Sequence, residues 1–240
     1  MTRDIFNRTE KLIGTDAVRR LQETEVLLVG AGGVGSWCAE ALVRSGVEHI
    51  TVADPDRVCA SNVNRQLMAT SATIGQPKVR ALAARLSEID PDAVITVMET
   101  RFCQDSIGEF ELGRYDYIID AIDNVADKAQ LILSALRTDA VLFSSMGAAL
   151  KLDPSQIAVA EFWKVYGCPL AKALRNRFKK TGDFPSRKFR CVFSPERLAN
   201  RFTDDDPGNG TAVHITASFG FRLASLLVSD VVNRLDGKCC

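Results

Sequence analysis

Short apolar runs alternate along this chain with stretches in which apolar residues recur every third or fourth position, and glycine, proline or a polar cluster marks each change of period. Glu25-Val-Leu-Leu-Val29 reads as a buried strand that stops at Gly30-Ala-Gly-Gly-Val-Gly35-Ser36. The residues that follow, Trp37 to Val43, take up helical spacing. His49 to Ala53 is a second strand, closed by Asp54, and Pro55 to Gln66 is a polar loop without a period. Gly75-Gln-Pro-Lys78 opens a helix with proline near its first position, and Val79, Leu82, Ala83, Leu86 and Ile89 form its apolar face. Val94 to Met98 is a strand, and a small helix lies around Ile107 to Leu112. Tyr115 to Ile122 is a buried strand ending at Asp123. Asn124 and Asp127 have the spacing of a capping box opening a helix through Arg137, and Val141 to Phe143 is a further strand. Ahead of the first strand, Asp4 to Gly14 lacks a clean period and reads as an arm. Thr15 or Asp16 then caps a short helix that buries Ala17, Val18 and Leu21.

After Ser145 the pattern changes. Gln156 to Phe162 alternates as a strand, a basic helix runs from about Pro169 to Lys180, and Phe189 to Phe193 is another short strand. Asn200 to Gly210 reads as a mobile loop, and Thr211 to Leu235 is an apolar helix packing on the sheet or on a partner subunit. Strands and helices alternating in this way predict an α/β fold, a Rossmann-like doubly wound, mostly parallel sheet with a smaller C-terminal α/β extension, dividing at residues 1–147 and 148–240.

Composition narrows the class. The 240 residues are 46% hydrophobic and 25% charged, enough for a real core. No apolar run approaches about 18 residues and no signal segment opens the chain, which predicts a cytoplasmic protein. The seven cysteines are odd in number and scattered, with no C-x-x-C pair, so neither a disulfide framework nor a ribbon-type zinc site is expected. Net charge is zero but unevenly placed: between Lys164 and Arg201 there are eleven Lys or Arg against only Asp183 and Glu196. That segment is either a solvated face or a surface for a polyanion.

The chemistry starts at the glycine turn. Gly30, Gly32 and Gly35 allow a sharp turn and a close ligand approach, the helix start attracts a phosphate, and Asp54 can accept from a ribose. This much fits a nicotinamide dehydrogenase equally well. Arg65 and Lys78, placed to reach phosphates, and Asp123, able to hold magnesium, favour a triphosphate instead. Each also has a structural reading, as loop salt bridge, helix-start lysine and helix N-terminal charge.

Taken in order, Gly30-Ala-Gly-Gly-Val-Gly-Ser36, Asp54-x-Asp56-x-Val58, Ser61-Asn-Val-Asn-Arg-Gln66, Gly75-Gln-Pro-Lys78 and Asp120-Ala-Ile-Asp-Asn124 resemble the ThiF/MoeB/HesA ubiquitin-activating-like adenylating family. The resemblance implies ATP contacts by Gly30, Gly32, Gly33, Asp54, Asp56, Ser61, Asn62, Arg65, Gln66, Lys78, Asp123 and Asn124. Of these, Arg65, Lys78 and Asp123 would be catalytic, Asp123 would ligate Mg2+, and Arg8 would reach the phosphates of the opposite subunit of a homodimer. MoeB and ThiF relatives carry two C-x-x-C pairs, which this chain lacks. Pro169 to Arg175, Cys191 to Glu196, and Gly210 followed by Ser218 to Phe221 are similar instead to the tRNA threonylcarbamoyladenosine dehydratases of that family. That similarity implies a ligase-like, ATP-dependent cyclisation of threonylcarbamoyladenosine in tRNA, with a cysteine desulfurase or sulfur-acceptor system as a further partner. The alternative is adenylation of a sulfur-carrier protein's C-terminus, and a non-catalytic nucleotide-sensing scaffold is a third reading.

With tRNA as the implied substrate, Lys172, Arg175, Arg177, Lys179 and Lys180 become candidates for its backbone, and Phe178, Phe184 or Phe189 for stacking on a base, against a core role for each ring. Cys191 is either a thioester-forming nucleophile or, in an apolar strand, an inert thiol. Cys239 and Cys240 read as incidental, and His49 and His214 as structural.

Overall fold

The computed structural model describes residues 4–202 and 208–237. Asp204 to Asp206 within the expected mobile loop, and Cys239 and Cys240, lie outside the described residues.

A single seven-stranded sheet organises the molecule. In chain order the strands are β1 (Glu25–Val29), β2 (His49–Ala53), β3 (Val94–Met98), β4 (Tyr117–Asp120), β5 (Val141–Ser145), β6 (Ala158–Glu161) and β7 (Arg190–Phe193). They lie side by side as β3-β2-β1-β4-β5-β7-β6. All neighbours run parallel except β6, which pairs antiparallel with β7. The strand order reverses at β1, which sends its crossover to β2 on one side while β4 docks on the other. The register places Val29 beside both Ala53 and Asp120, so Gly30, Asp54 and Ala121 emerge together at one end. A crevice at such a reversal is where doubly wound sheets bind ligands.

The helices are α1 (Asn7–Ile13), α2 (Thr15–Gln22), α3 (Gly35–Ser45), α4 (Lys78–Ile89), α5 (Val125–Ala135), α6 (Pro169–Thr181) and α7 (Val213–Leu235). Alternate residues of β1 serve two cores. Val26 and Leu28 pack with Leu21, Leu42, Leu82 and Leu227 on the face covered by α2, α3, α4 and α7. Leu27 and Val29 pack with Leu131, Ile132, Leu174 and Phe178 on the face covered by α5 and α6. Burial on both faces is why β1 reads as a continuous apolar run.

Several expectations shift. The N-terminal arm is itself helical, as α1, standing on α2. At α5 the Asn124 carboxamide oxygen accepts from Ala126 N and Asp127 N, but the reciprocal half of the capping box is missing because Asp127 pairs with Arg101. The chain has no unbroken apolar run near 18 residues, yet α7, at 23 residues and interrupted by polar side chains, passes for a spanning helix on length and mean composition. One face of α7, eleven of its 23 residues, is buried against α3 and the sheet. Gly220 makes the α3 contact possible, since a Cβ there would meet Val34 O at 2.5 Å and Cys38 N at 2.8 Å. The C-terminal segment beyond residue 147 continues the same sheet through β7 and β6 and supplies α7 to the main core.

Candidate functional site

A cleft of about 870 Å3 opens at the C-terminal ends of β1, β2, β4 and β5. Its floor is the glycine turn. Gly30 has φ 99°, and a Cβ there would press on the Ala121 carbonyl at 2.7 Å; one on Gly35 would meet Gly30 O at 1.8 Å. Both positions therefore exclude any side chain. At Gly32 a Cβ would find only Gln66 Nε2, at 4.0 Å, so the space above it is free for a ligand. Gln66 also presents its buried Oε1 without a hydrogen-bond partner among the described residues, a polar group placed for an occupant.

Asp54 caps this turn. Its Oδ2 accepts from Ala31 N at 2.7 Å and its Oδ1 from Asp56 N at 2.9 Å, which leaves lone pairs for a ribose. Burial raises its carboxyl above the usual carboxylate range, and the Lys78 ammonium 3.9 Å away opposes that shift. Lys78, the first residue of α4, donates to Asp56 Oδ2 at 2.7 Å while its backbone N–H donates to Asp56 O. Arg65 is held by Ser61 O at 2.7 Å and Asn64 Oδ1 at 2.8 Å, and its stem lies over Gly33. Asn62 shapes the same loop by accepting from Cys59 N. Across the cleft Asp123 is exposed and makes no hydrogen bond or ion pair among the described residues, and Asn124 beside it caps α5.

The structure thus gathers Gly30, Gly32, Gly33, Asp54, Asp56, Asn62, Arg65, Gln66, Lys78, Asp123 and Asn124 around one cleft. Ser61 meets it only through the carbonyl that fixes Arg65. Arg8 does not line the cleft of its own chain; it is exposed on α1.

Two features were not singled out in the sequence. Arg101, after β3, lines the cleft and donates from Nε to Asp127 at 2.7 Å. Lys128 is wholly buried beneath it, donating to Asp120 Oδ2 at 2.8 Å and Ile122 O at 2.9 Å. Asp120 in turn accepts from Ser144 Oγ and Ile122 N. Ile122, the residue before Asp123, is held at both its N–H and its carbonyl. The available signal was a lone lysine beside Ala129, Leu131 and Ile132 on an apolar helix face.

The basic helix needs revision. α6 starts beside the cleft, where the Cβ position of Gly147 is 3.7 Å from Leu170 Cβ, and runs toward the opposite end of the sheet. Lys179 and Lys180 are exposed at its far end, about 12 Å along the axis from Lys172. Arg175 turns inward: its Nη1 donates to Phe162 O and Val165 O. Lys172 and Arg177 are exposed. Phe178 and Phe189 are core residues, which removes them as base-stacking candidates, whereas Phe184 is exposed against Trp163. Cys191 is 0% exposed, and burial pushes its thiol well above the usual range, so it is an inert thiol and not a nucleophile. His214 donates from Nε2 to Leu152 O, and His49 lies beside Glu25, both outside the cleft.

Known proteins resemble this chain in sequence and in fold. The ThiF family model matches residues 6–237. The tRNA threonylcarbamoyladenosine dehydratase of Escherichia coli K12 is 36% identical over 93% of this chain and 91% of its own length. That of Bacillus subtilis 168 is 40% identical over 80% of this chain and 74% of its own. The crystal structure of the E. coli dehydratase TcdA in complex with ATP superposes with a TM-score of 0.89 at 35% identity, covering 99% of this chain and 97% of that one. The chain belongs to the ThiF family, alongside the tRNA threonylcarbamoyladenosine dehydratases it matches over most of its length.

Proposed function

We propose that this protein uses ATP to activate the free carboxylate of the threonylcarbamoyl group on an adenosine of tRNA, so that the side chain closes into a ring with loss of water. The observation that carries the reading is the convergence of an open glycine turn, two cations and an unengaged carboxylate at one end of one crevice. A relative that binds ATP and matches nearly the whole chain supports it.

A free carboxylate is a poor electrophile, and ATP supplies the leaving group it lacks. The chain's own residues then position and neutralise. The turn over Gly32 accommodates phosphates, Asp54 accepts from the ribose, and Arg65 and Lys78 offset negative charge that grows during transfer. Asp123 would hold magnesium together with the substrate phosphates, since this ion commonly takes one or two carboxylates and keeps water. Arg8, remote from its own cleft, is available to a second copy in a homodimer. The carbamoyl nitrogen of the same substrate can attack the activated carbon, so no cysteine nucleophile is required. A tRNA substrate assigns the protein to the cytoplasm.

The test is incubation of the purified protein with ATP, magnesium and tRNA carrying threonylcarbamoyladenosine, followed by nucleoside mass spectrometry. Loss of one water, dependent on ATP and abolished in Asp123→Ala, is expected. Pyrophosphate exchange stimulated by a sulfur-carrier protein, with the nucleoside unchanged, would move the substrate to that carrier.

A further inference from the structure

Beside the cleft lies a second hollow of about 410 Å3, lined by Gly167, Cys168, Pro169, Lys172, Ala173, Arg175, Asn176 and Arg197. Three of these side chains are cationic and none is acidic. The hollow and the cleft share a wall: Leu170 and Gly147 line the cleft, Cys168 and Pro169 line the hollow, and a Cβ on Gly147 would lie 3.7 Å from Leu170 Cβ and 3.9 Å from Cys168 Sγ. Among the described residues no carboxylate pairs with these cations. Glu196 turns its carboxylate onto the backbone N–H groups of Leu152 and Asp153, and Lys151 donates to the Glu196 carbonyl, not to its carboxylate. Among the described residues Lys172 and Arg197 have no acidic partner and are exposed, whereas Arg175 is fixed in place by its two carbonyls.

We infer that this hollow holds a backbone phosphate of the RNA strand flanking the modified nucleotide, with Lys172 and Arg197 as its movable contacts and Arg175 as a fixed charge behind them. The inference rests on tRNA as substrate. A nucleotide whose base carries its acid into the cleft brings its own phosphodiesters to the rim, and the hollow is the cationic surface that adjoins that rim. Lys179 and Lys180, at the other end of α6, are too far along the helix to share this phosphate. Phosphate contacts position an RNA without reading its sequence, so the hollow sets register and not base identity.

The experiment is binding of the full-length protein to tRNA bearing threonylcarbamoyladenosine over a salt series, comparing Lys172→Ala/Arg197→Ala with Lys179→Ala/Lys180→Ala, which remove equal charge. The first pair is expected to weaken binding on the order of tenfold and to reduce the slope of log affinity against log salt by about 1. ATP affinity and melting temperature should stay at wild-type values, because both residues are exposed and outside the nucleotide cleft. The second pair should cost clearly less. Equal losses for the two pairs would mean a diffuse charge effect and overturn the inference, as would wild-type affinity and slope in the first pair. If the wild-type protein binds ATP but neither binds nor dehydrates this tRNA, the functional reading falls together with the inference.

Discussion

Lys78 is only 7% exposed, yet its ammonium reaches Asp56 and comes within 3.9 Å of Asp54 at the mouth of the cleft. Under the proposed function, a lysine oriented there by two carboxylates is in place before a more highly charged phosphate arrives. Arg65 is pre-set in the same way by Ser61 O and Asn64. Lys78→Ala and Arg65→Ala should each lower ATP-dependent turnover on the order of 10²-fold or more, measured as steady-state nucleotide release. A variant that keeps wild-type turnover would remove that residue from the phosphate contacts. Lys128 acts differently, since both it and Asp120 are fully buried. Replacing it with methionine strands the Asp120 charge and should cost about 3–5 kcal/mol in a denaturant titration. Asp54, Arg65, Lys78 and Asp123 were legible because glycine spacing and strand ends place them at one edge. Lys128 was not, because its partner is brought to it only by the packing of α5 on β4.

Among the elements, the pairing of α3 with α7 depends on backbone approach. Gly220→Ala would put a methyl against Val34 O and Cys38 N, which cannot yield as a side-chain end can. A loss of about 1–3 kcal/mol is expected, seen calorimetrically as a Tm lowered by several degrees. α3 is tied to α4 by the Glu40 carboxylate, which takes Arg85 from α4 and Arg44 from its own helix. Burial alone would raise its pKa, but the two guanidinium groups together hold it below the ordinary 4.5. The unfolded chain therefore takes up a proton near 4.5 that the folded chain refuses. The tie is fully present above that pH and is lost as pH falls through the lower, folded value. Glu40→Gln should be less stable than wild type at neutral pH, with the gap narrowing in acid denaturant melts. Helix α6 carries a separate lesson. Its basic run was visible in the sequence, but only its packing shows that Arg175 faces inward and that, of the helix's cations, Lys172 and Arg175 line the hollow next to the cleft while Arg177, Lys179 and Lys180 do not.

For the whole molecule, one continuous sheet bears on where the chain can be cut. Residues 1–147 contain β1 to β5, but β7 covers the edge of β5, and Phe219, Leu223 and Leu227 of α7 complete the core against α3. A fragment of residues 1–147 should consequently fail to unfold cooperatively and should bind a hydrophobic dye; a sharp melt would show it to be an independent domain. The fold class was readable because strand and helix periods are local properties of the chain, and so was the nucleotide cleft, since a glycine turn after a first parallel strand has few other uses. The membrane question was not: α7 has the length and apolarity of a spanning helix, and only its burial against α3 and the sheet gives that apolar surface a protein partner. Local sequence determined the elements, the turn and the charge inventory. Tertiary structure decided which charges meet, because Lys128 with Asp120, Arg101 with Asp127 and Lys172 with Arg197 become neighbours only when separate elements pack.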